Sequence, residues 1–175
     1  MISSDNNQSG NIQAPINLRP ASKADLAAIN RVIERAVQTW DLPERVKRLA
    51  LPTYHYNEHD LDHLHLVVAE DSAAVVIGVA AWEDAAARDC PQGQRGLLLH
   101  GLYVDPDRQH RGTGTRLLSA AAAASREQGY DGLLVKAQAG AEGFFRSRGL
   151  QQLAVTDANR DYPNRFWLDL TGSAE

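Results

Sequence analysis

Leu102-Tyr103-Val104-Asp105-Pro106-Asp107-Arg108-Gln109-His110-Arg111-Gly112-Thr113-Gly114-Thr115 runs from an apolar strand, through a charged turn, into a helix that opens on two glycines. Pro106 cannot continue a sheet ladder, so the strand ends there. Glycines at this spacing let the backbone come close to a ligand, and the first N–H groups of a helix have no partner within it. With the positive end of the helix dipole behind them, such groups make a cradle for phosphate. Two phosphate-binding patterns fail here. A P-loop would need Lys directly after Gly114, where Thr115 stands; a dinucleotide fingerprint would need glycine at Leu117 and a strand ending at Gly112. The pattern Gln/Arg-x-x-Gly-x-Gly/Ala is met in full by Gln109 to Gly114. The same glycines would also suit an ordinary tight helix entrance, and that reading stays open beside the cradle.

Working outward, Gly112–Gln128 reads as one helix closed by Gly129, with Leu117, Leu118, Ala121 and Ala124 as its narrow apolar face. Downstream the chain predicts a strand at Leu133–Lys136, a short helix at Ala141–Ser147, and strands at Leu150–Val155 and Arg165–Leu170. Upstream lie a strand at Leu97–Val104, a loop over Glu83–Gly96, and a hairpin from Leu66–Ala69 and Val75–Trp82. Pro43 and Pro52 bracket a helical stretch at Glu44–Leu51, and the His- and Asp-rich segment after it carries no clear period. Leu26, Ile29, Val32, Ile33, Ala36, Val37 and Trp40 recur at helical spacing behind a Ser22/Asp25 cap, and Ile16–Arg19 is a short strand. The expectation is an α/β domain over residues 16–175, with a mixed, mostly antiparallel central sheet of about six to seven strands flanked by helices. Residues 1–15, polar and without period, read as a disordered tail.

The 175 residues suit one domain. Eighteen Lys and Arg against twenty-two Asp and Glu leave a net charge of −4, which argues against a nucleic-acid or anionic-membrane binder. The lone Cys90 excludes a disulfide framework within the chain, and no stretch reaches the roughly 18 apolar residues of a membrane span. A cytoplasmic protein is expected, and a homodimer is a possible assembly.

The block around Gly112 resembles the GNAT superfamily of N-acetyltransferases, which bind the pyrophosphate of acetyl-CoA with this motif. A second block supports the likeness. Gln138-x-x-Ala141-x-x-Phe144-Phe145-x-x-x-Gly149-Leu150 matches the family's Asn-x-x-Ala-x-x-apolar-Tyr-x-x-x-Gly-Phe in spacing. The resemblance covers about residues 16–170 and is specific in 97–150. It implies a GNAT-like fold and transfer of acetyl from acetyl-CoA, as co-substrate, to a primary amine of a small molecule or, less expectedly, a peptide. It also implies a cofactor site: Leu102, Tyr103 and Val104 along the pantetheine arm, Gln109, His110, Arg111, Gly112, Thr113, Gly114 and Thr115 at the phosphates, and Gln138 and Phe145 beside the arm. Arg108 and Arg111 would add side-chain charge.

Direct attack by an amine needs a base, and imidazole changes charge nearest neutral pH. His100, two residues before Leu102, is the first candidate, and Glu83 the second, near strand positions where the resemblance leads to a base. Each also reads as an ordinary strand residue. Phe145 stands where the family often has the tyrosine that protonates the departing thiolate, so an acyl-CoA-binding module with little catalysis is the alternative function. His55, His59, His63 and His65 among acidic neighbours permit a metal reading, since the first three would share a helix face, but no established metal-site spacing is present and no metal is expected.

Overall fold

The computed structural model describes residues 14–172, so most of the expected tail lies outside the described residues. Seven strands form one sheet: β1 (Asn17–Pro20), β2 (His65–Glu70), β3 (Val76–Asp84), β4 (Gly96–Val104), β5 (Gly132–Lys136), β6 (Gln151–Gln152) and β7 (Arg165–Asp169). Their order is β1-β2-β3-β4-β5-β7-β6, and every neighbouring pair is antiparallel except β4 and β5. The helices are α1 (Leu26–Gln38), α2 (Glu44–Tyr54), α3 (Glu58–His63), α4 (Thr113–Glu127) and α5 (Glu142–Ser147).

Alternation along the strands feeds two cores. Leu97, Leu99, Leu133 and Val135 meet Leu117, Leu118, Ala121 and Ala122 of α4 on one face. On the other, Leu66, Val68, Val79 and Ala81 meet Ile29, Ile33 and Val37 of α1. Each fully buried Leu, Ile or Val contributes on the order of 1.5–3 kcal/mol, so these two faces fix where α1 and α4 lie on the sheet. Ser22 starts the turn before α1 as expected: its N–H and hydroxyl both donate to Asp25 Oδ2. Arg19 of β1 holds Asp25 at 2.8 Å and Glu70 of β2 at 2.6 Å, tying the helix start to the sheet edge. Those Arg19 hydrogen bonds, helped by Ser22, hold the Asp25 carboxyl well below the usual carboxylate range.

The parallel β4/β5 pairing runs only from Gly96↔Gly132 to Leu99↔Val135. Just there β4 carries a bulge. Trp82 pairs with Leu99 and Ala81 with Gly101, so His100 is an extra residue that bends β4 while its pairing with β3 continues to Val104. The two strands part, and the β4 edge from His100 to Val104 has no strand beside it on the β5 side.

The structure differs from the sequence expectation in several places. The strand expected over Leu150–Val155 is only Gln151–Gln152, because Leu150 turns inward to the core and the chain then enters the loop before β7. β3 extends to Asp84, shortening the loop expected from Glu83. Pro52 does not end its helix: α2 continues to Tyr54, since a proline in an exposed last turn removes one hydrogen bond that water replaces. The segment after it contains α3, capped by Asn57, whose side chain accepts from the N–H groups of His59 and Asp60.

Candidate active site

The glycine-rich turn has the backbone its sequence calls for. His110 and Gly112 both sit in the left-handed region, at φ 62 and 80, reversing the chain on either side of Arg111. A side chain on Gly112 would be strained by that φ even though the space beside it is open. Arg116 N–H is bonded back to Gly112 O at 3.0 Å, so the N–H groups of Thr113, Gly114 and Thr115 precede the helical ladder and point out of its end. At Gly114 an added Cβ would lie 3.5 Å from the Phe144 ring, so anything bulkier would crowd it. Thr113 is buried, and its Oγ1 has no hydrogen-bond partner. Free backbone donors and an open left-handed glycine fit a pyrophosphate.

This turn forms one end of a cleft of about 950 Å³ that follows the unpaired β4 edge. The cleft passes Leu102, Val104 and Gly114, with Ala137, Gln138, Phe144 and Phe145 across from them. It reaches Leu99 and Val135, where the two strands part, and continues to Trp40, Tyr54 and Tyr103 under α1 and α2.

His100 stands at the middle of the cleft. Its Nδ1 shares a 3.2 Å hydrogen bond with the Tyr56 hydroxyl. Tyr56 is pinned from α1 by two bonds, its N–H donating to Asn30 Oδ1 and Asn30 Nδ2 donating to its carbonyl, each at 2.9 Å. Burial, with smaller contributions from Tyr103, Asp60 and Glu83, pushes the Tyr56 hydroxyl far above the ordinary tyrosine range, so it stays a neutral hydroxyl. Gly101 is required beside it, because a side chain there would run into the Tyr56 oxygen. Neither Asn30 nor Tyr56 stands out in the sequence. The only signal is a helix whose apolar stripe leaves a polar residue, Asn30, directly beside Ile29.

The residues singled out from the sequence separate into groups. Gln109, His110, Gly112, Thr113, Gly114, Thr115, Leu102, Val104, Gln138 and Phe145 line the cleft with His100. Tyr103 lines it too, but its ring lies under α1 and stacks on Trp40, away from the glycine turn. Arg111 is not on the cleft wall: it flanks a shallower groove with Arg116 and Arg148. Arg108, expected to add charge, is held by Asp71 at 3.0 Å. Glu83 pairs across the ladder with Leu98 and does not line the cleft. Of the other tyrosines, Tyr130 donates to Asp84 and Tyr162 to the Ala137 carbonyl. Among the described residues no three His, Cys, Asp or Glu side chains are grouped to hold a metal. His55 lies past the end of α2 and contacts Glu34, so it shares no helix face with His59 and His63.

Comparison with known proteins follows the same lines. The acetyltransferase (GNAT) domain family matches residues 62–152. The L-methionine sulfoximine/L-methionine sulfone acetyltransferase of Pseudomonas paraeruginosa is 29% identical over 88% of this chain and 90% of its own. The L-amino acid N-acyltransferase of Escherichia coli K12 is 28% identical over 89% and 91%. Two solved structures share the fold. The GNAT acetyltransferase from Brucella melitensis in complex with acetyl-CoA has a TM-score of 0.61 and 20% identity, covering 93% of this chain and 92% of its own. The PaiA N-acetyltransferase from Thermoplasma acidophilum in complex with coenzyme A has a TM-score of 0.69 and 16% identity, covering 89% and 99%. Among the described residues no helix is long and apolar enough to cross a membrane. With more than half its length matched by the family, and with that family's sheet and glycine turn, the chain belongs to the GNAT acetyltransferases.

Proposed function

We propose that the chain transfers the acetyl group of acetyl-CoA to a primary amine of a small molecule, and that His100 is the base. The observation that carries this reading is continuity: one cleft joins the glycine turn, the unpaired β4 edge and His100. Backbone N–H groups of Thr113, Gly114 and Thr115 hold the pyrophosphate. The His100–Val104 edge receives the pantetheine arm much as a sheet receives an added strand, and Gln138 offers an amide to it. The acetyl group then lies near the bulge.

His100 acts through Nε2. The Nδ1–Tyr56 hydrogen bond fixes the ring; in the tautomer this role requires, the proton sits on Nδ1, and Nε2 takes the proton released as the amine nitrogen bonds to the acetyl carbon and the carbon–sulfur bond breaks. The buried, neutral Tyr56 suits this role because it can accept that bond without carrying charge. Phe145 is buried against Phe144 and Phe166 and supplies no proton. A thiol is a fair leaving group at its ordinary pKa of about 8.5, and the cleft hydroxyls of Tyr56 and Tyr103 lie on the same wall. The curated relatives are named for small acceptors, L-methionine sulfoximine and sulfone in one and L-amino acids in the other, which supports an acceptor of small size whatever its charge. The lone, buried Cys90 supports a reducing cytoplasm, and the net charge of −4 supports a partner other than nucleic acid.

Release of CoA thiol in the presence of an amine panel tests the reading. Thiol release above the hydrolysis background that depends on an amine supports it; a protein that binds acetyl-CoA and releases none contradicts it.

A further inference from the structure

The end of the cleft away from the glycine turn is built of rings. Trp40 meets Tyr54 edge-on at 5.3 Å and lies over Tyr103 at 6.5 Å, with Ala36, Thr39 and Thr53 filling between them. The two threonine hydroxyls are bonded to their own helix backbone, Thr39 donating to Ala36 O at 2.7 Å and Thr53 to Ala50 O at 2.6 Å, so their protons are already committed. Burial pushes the Tyr103 hydroxyl well above the ordinary range, with Tyr54 adding to the shift.

Fixed positive charge is absent from this end among the described residues. Three cations line the whole cleft. Arg108 is paired with Asp71, Lys136 with Asp89 at 3.0 Å, and Arg148 lies by Phe144 and the groove beside the glycine turn. Of the cations on α1 and α2, Arg35 is held by Asp105 and Asp107 and Lys47 by the Gln38 carbonyl and Glu44, while Arg31, Arg45 and Arg48 are not among the residues that line the cleft. A carboxylate carried into this cup would lose its water and meet aromatic faces, whose negative quadrupole repels it. An ammonium entering with an apolar tail is favoured by the same faces, and His100 waits at the cup's inner edge.

We propose that the acetyl acceptor is an aromatic or alkyl amine whose tail carries no carboxylate, in preference to an α-amino acid, with Trp40, Tyr54 and Tyr103 as the specificity residues. This rests on the reading of the cleft as an acetyl-CoA site with the acceptor at its aromatic end.

A matched pair of probes tests it. 2-Phenylethylamine and phenylalanine differ only in the carboxylate. With purified full-length protein and saturating acetyl-CoA, kcat/KM for 2-phenylethylamine is expected to exceed that for phenylalanine by at least about tenfold, the penalty of roughly one unpaired charged contact. Equal or better use of phenylalanine overturns the proposal. A parallel calorimetric titration with acetyl-CoA separates the two levels. Donor binding without turnover of 2-phenylethylamine overturns the acceptor assignment alone; no donor binding overturns the reading beneath it as well. Trp40→Leu keeps an apolar side chain and removes the ring, and it should raise KM for 2-phenylethylamine about tenfold with acetyl-CoA affinity unchanged. An unchanged KM removes Trp40 from the site.

Discussion

The two ends of the cleft are made by different means. At the glycine turn the groups offered to the proposed pyrophosphate are backbone N–H donors from consecutive residues, Thr113 to Thr115, presented by one local conformation at Gly112. At the aromatic end nothing is local: Trp40, Tyr54, Tyr56, His100 and Tyr103 come from the turn after α1, α2, the turn after it and β4, and meet only because the cores have formed. A site made of backbone is robust to most side-chain changes and intolerant of a few. A site assembled from distant side chains can be retuned residue by residue, which is how one donor site comes to serve many acceptors.

Substitutions should respect that division. The largest effect is expected from Gly112→Val, which forces a β-branched residue into φ 80 and closes the cradle. Acetyl-CoA affinity by calorimetry should fall about 100-fold or more, close to 3 kcal/mol, with the fold retained by circular dichroism. Wild-type affinity in the folded variant would mean that the turn is only a helix entrance. Next, His100→Gln should lower kcat by about 10²–10⁴-fold with acetyl-CoA affinity intact. It should also erase the basic-group inflection in the pH profile of kcat/KM that a general base in this role produces. Retention of that inflection would move the base elsewhere.

Asn30→Ala removes the two bonds that pin Tyr56, so a stability loss of about 1–3 kcal/mol is expected in denaturant melts, with a several-fold drop in kcat and an unchanged donor affinity. A weakened donor affinity would show that the two ends are not separable. The smallest effect on the cleft is expected at Asp161, which lies in the loop before β7. Its buried carboxylate accepts from the N–H of Asp157 and from Arg160 and Thr156, which hold its pKa well below the usual range. Because the folded pKa is lowered, the stability it contributes is present above the unfolded value of about 3.9 and is lost as pH falls below it. Thermal melts of the wild type should therefore drop steeply below about pH 4. Asp161→Asn should be less stable at pH 7 and show a shallower acid drop, with both ends of the cleft unaltered; an acid limb unchanged in that variant would remove Asp161 as its source.

How much could be read from the amino acids follows the same line. The glycine turn was legible because a left-handed glycine and a strand-to-helix junction are local facts, and the apolar stripes of α1 and α4 gave the layers. The bulge at His100 was not legible: it is a register shift between β3 and β4, visible only once Trp82 and Ala81 have chosen partners. The aromatic cup was hidden for the same reason. Trp40 and Tyr103 are 63 positions apart in the chain, and each alone reads as core. Arg108 lines the cleft as expected of a charge near the glycine turn, but its pairing with Asp71, in the distant β2–β3 turn, could not be read from the sequence. Glu83 is readable as a base from its strand position alone; the ladder sets it opposite Leu98, where its charge reaches Tyr56 although it is not among the residues that line the cleft.

The most direct test of the account is a calorimetric titration of the purified protein with acetyl-CoA and, as control, S-acetylpantetheine, which has the acetylated arm and no pyrophosphate. The account predicts micromolar binding of acetyl-CoA and at least about 100-fold weaker binding of the control, because the backbone donors at Thr113 to Thr115 are then left unfilled. Equal affinity for the two, or no binding of acetyl-CoA, would contradict it.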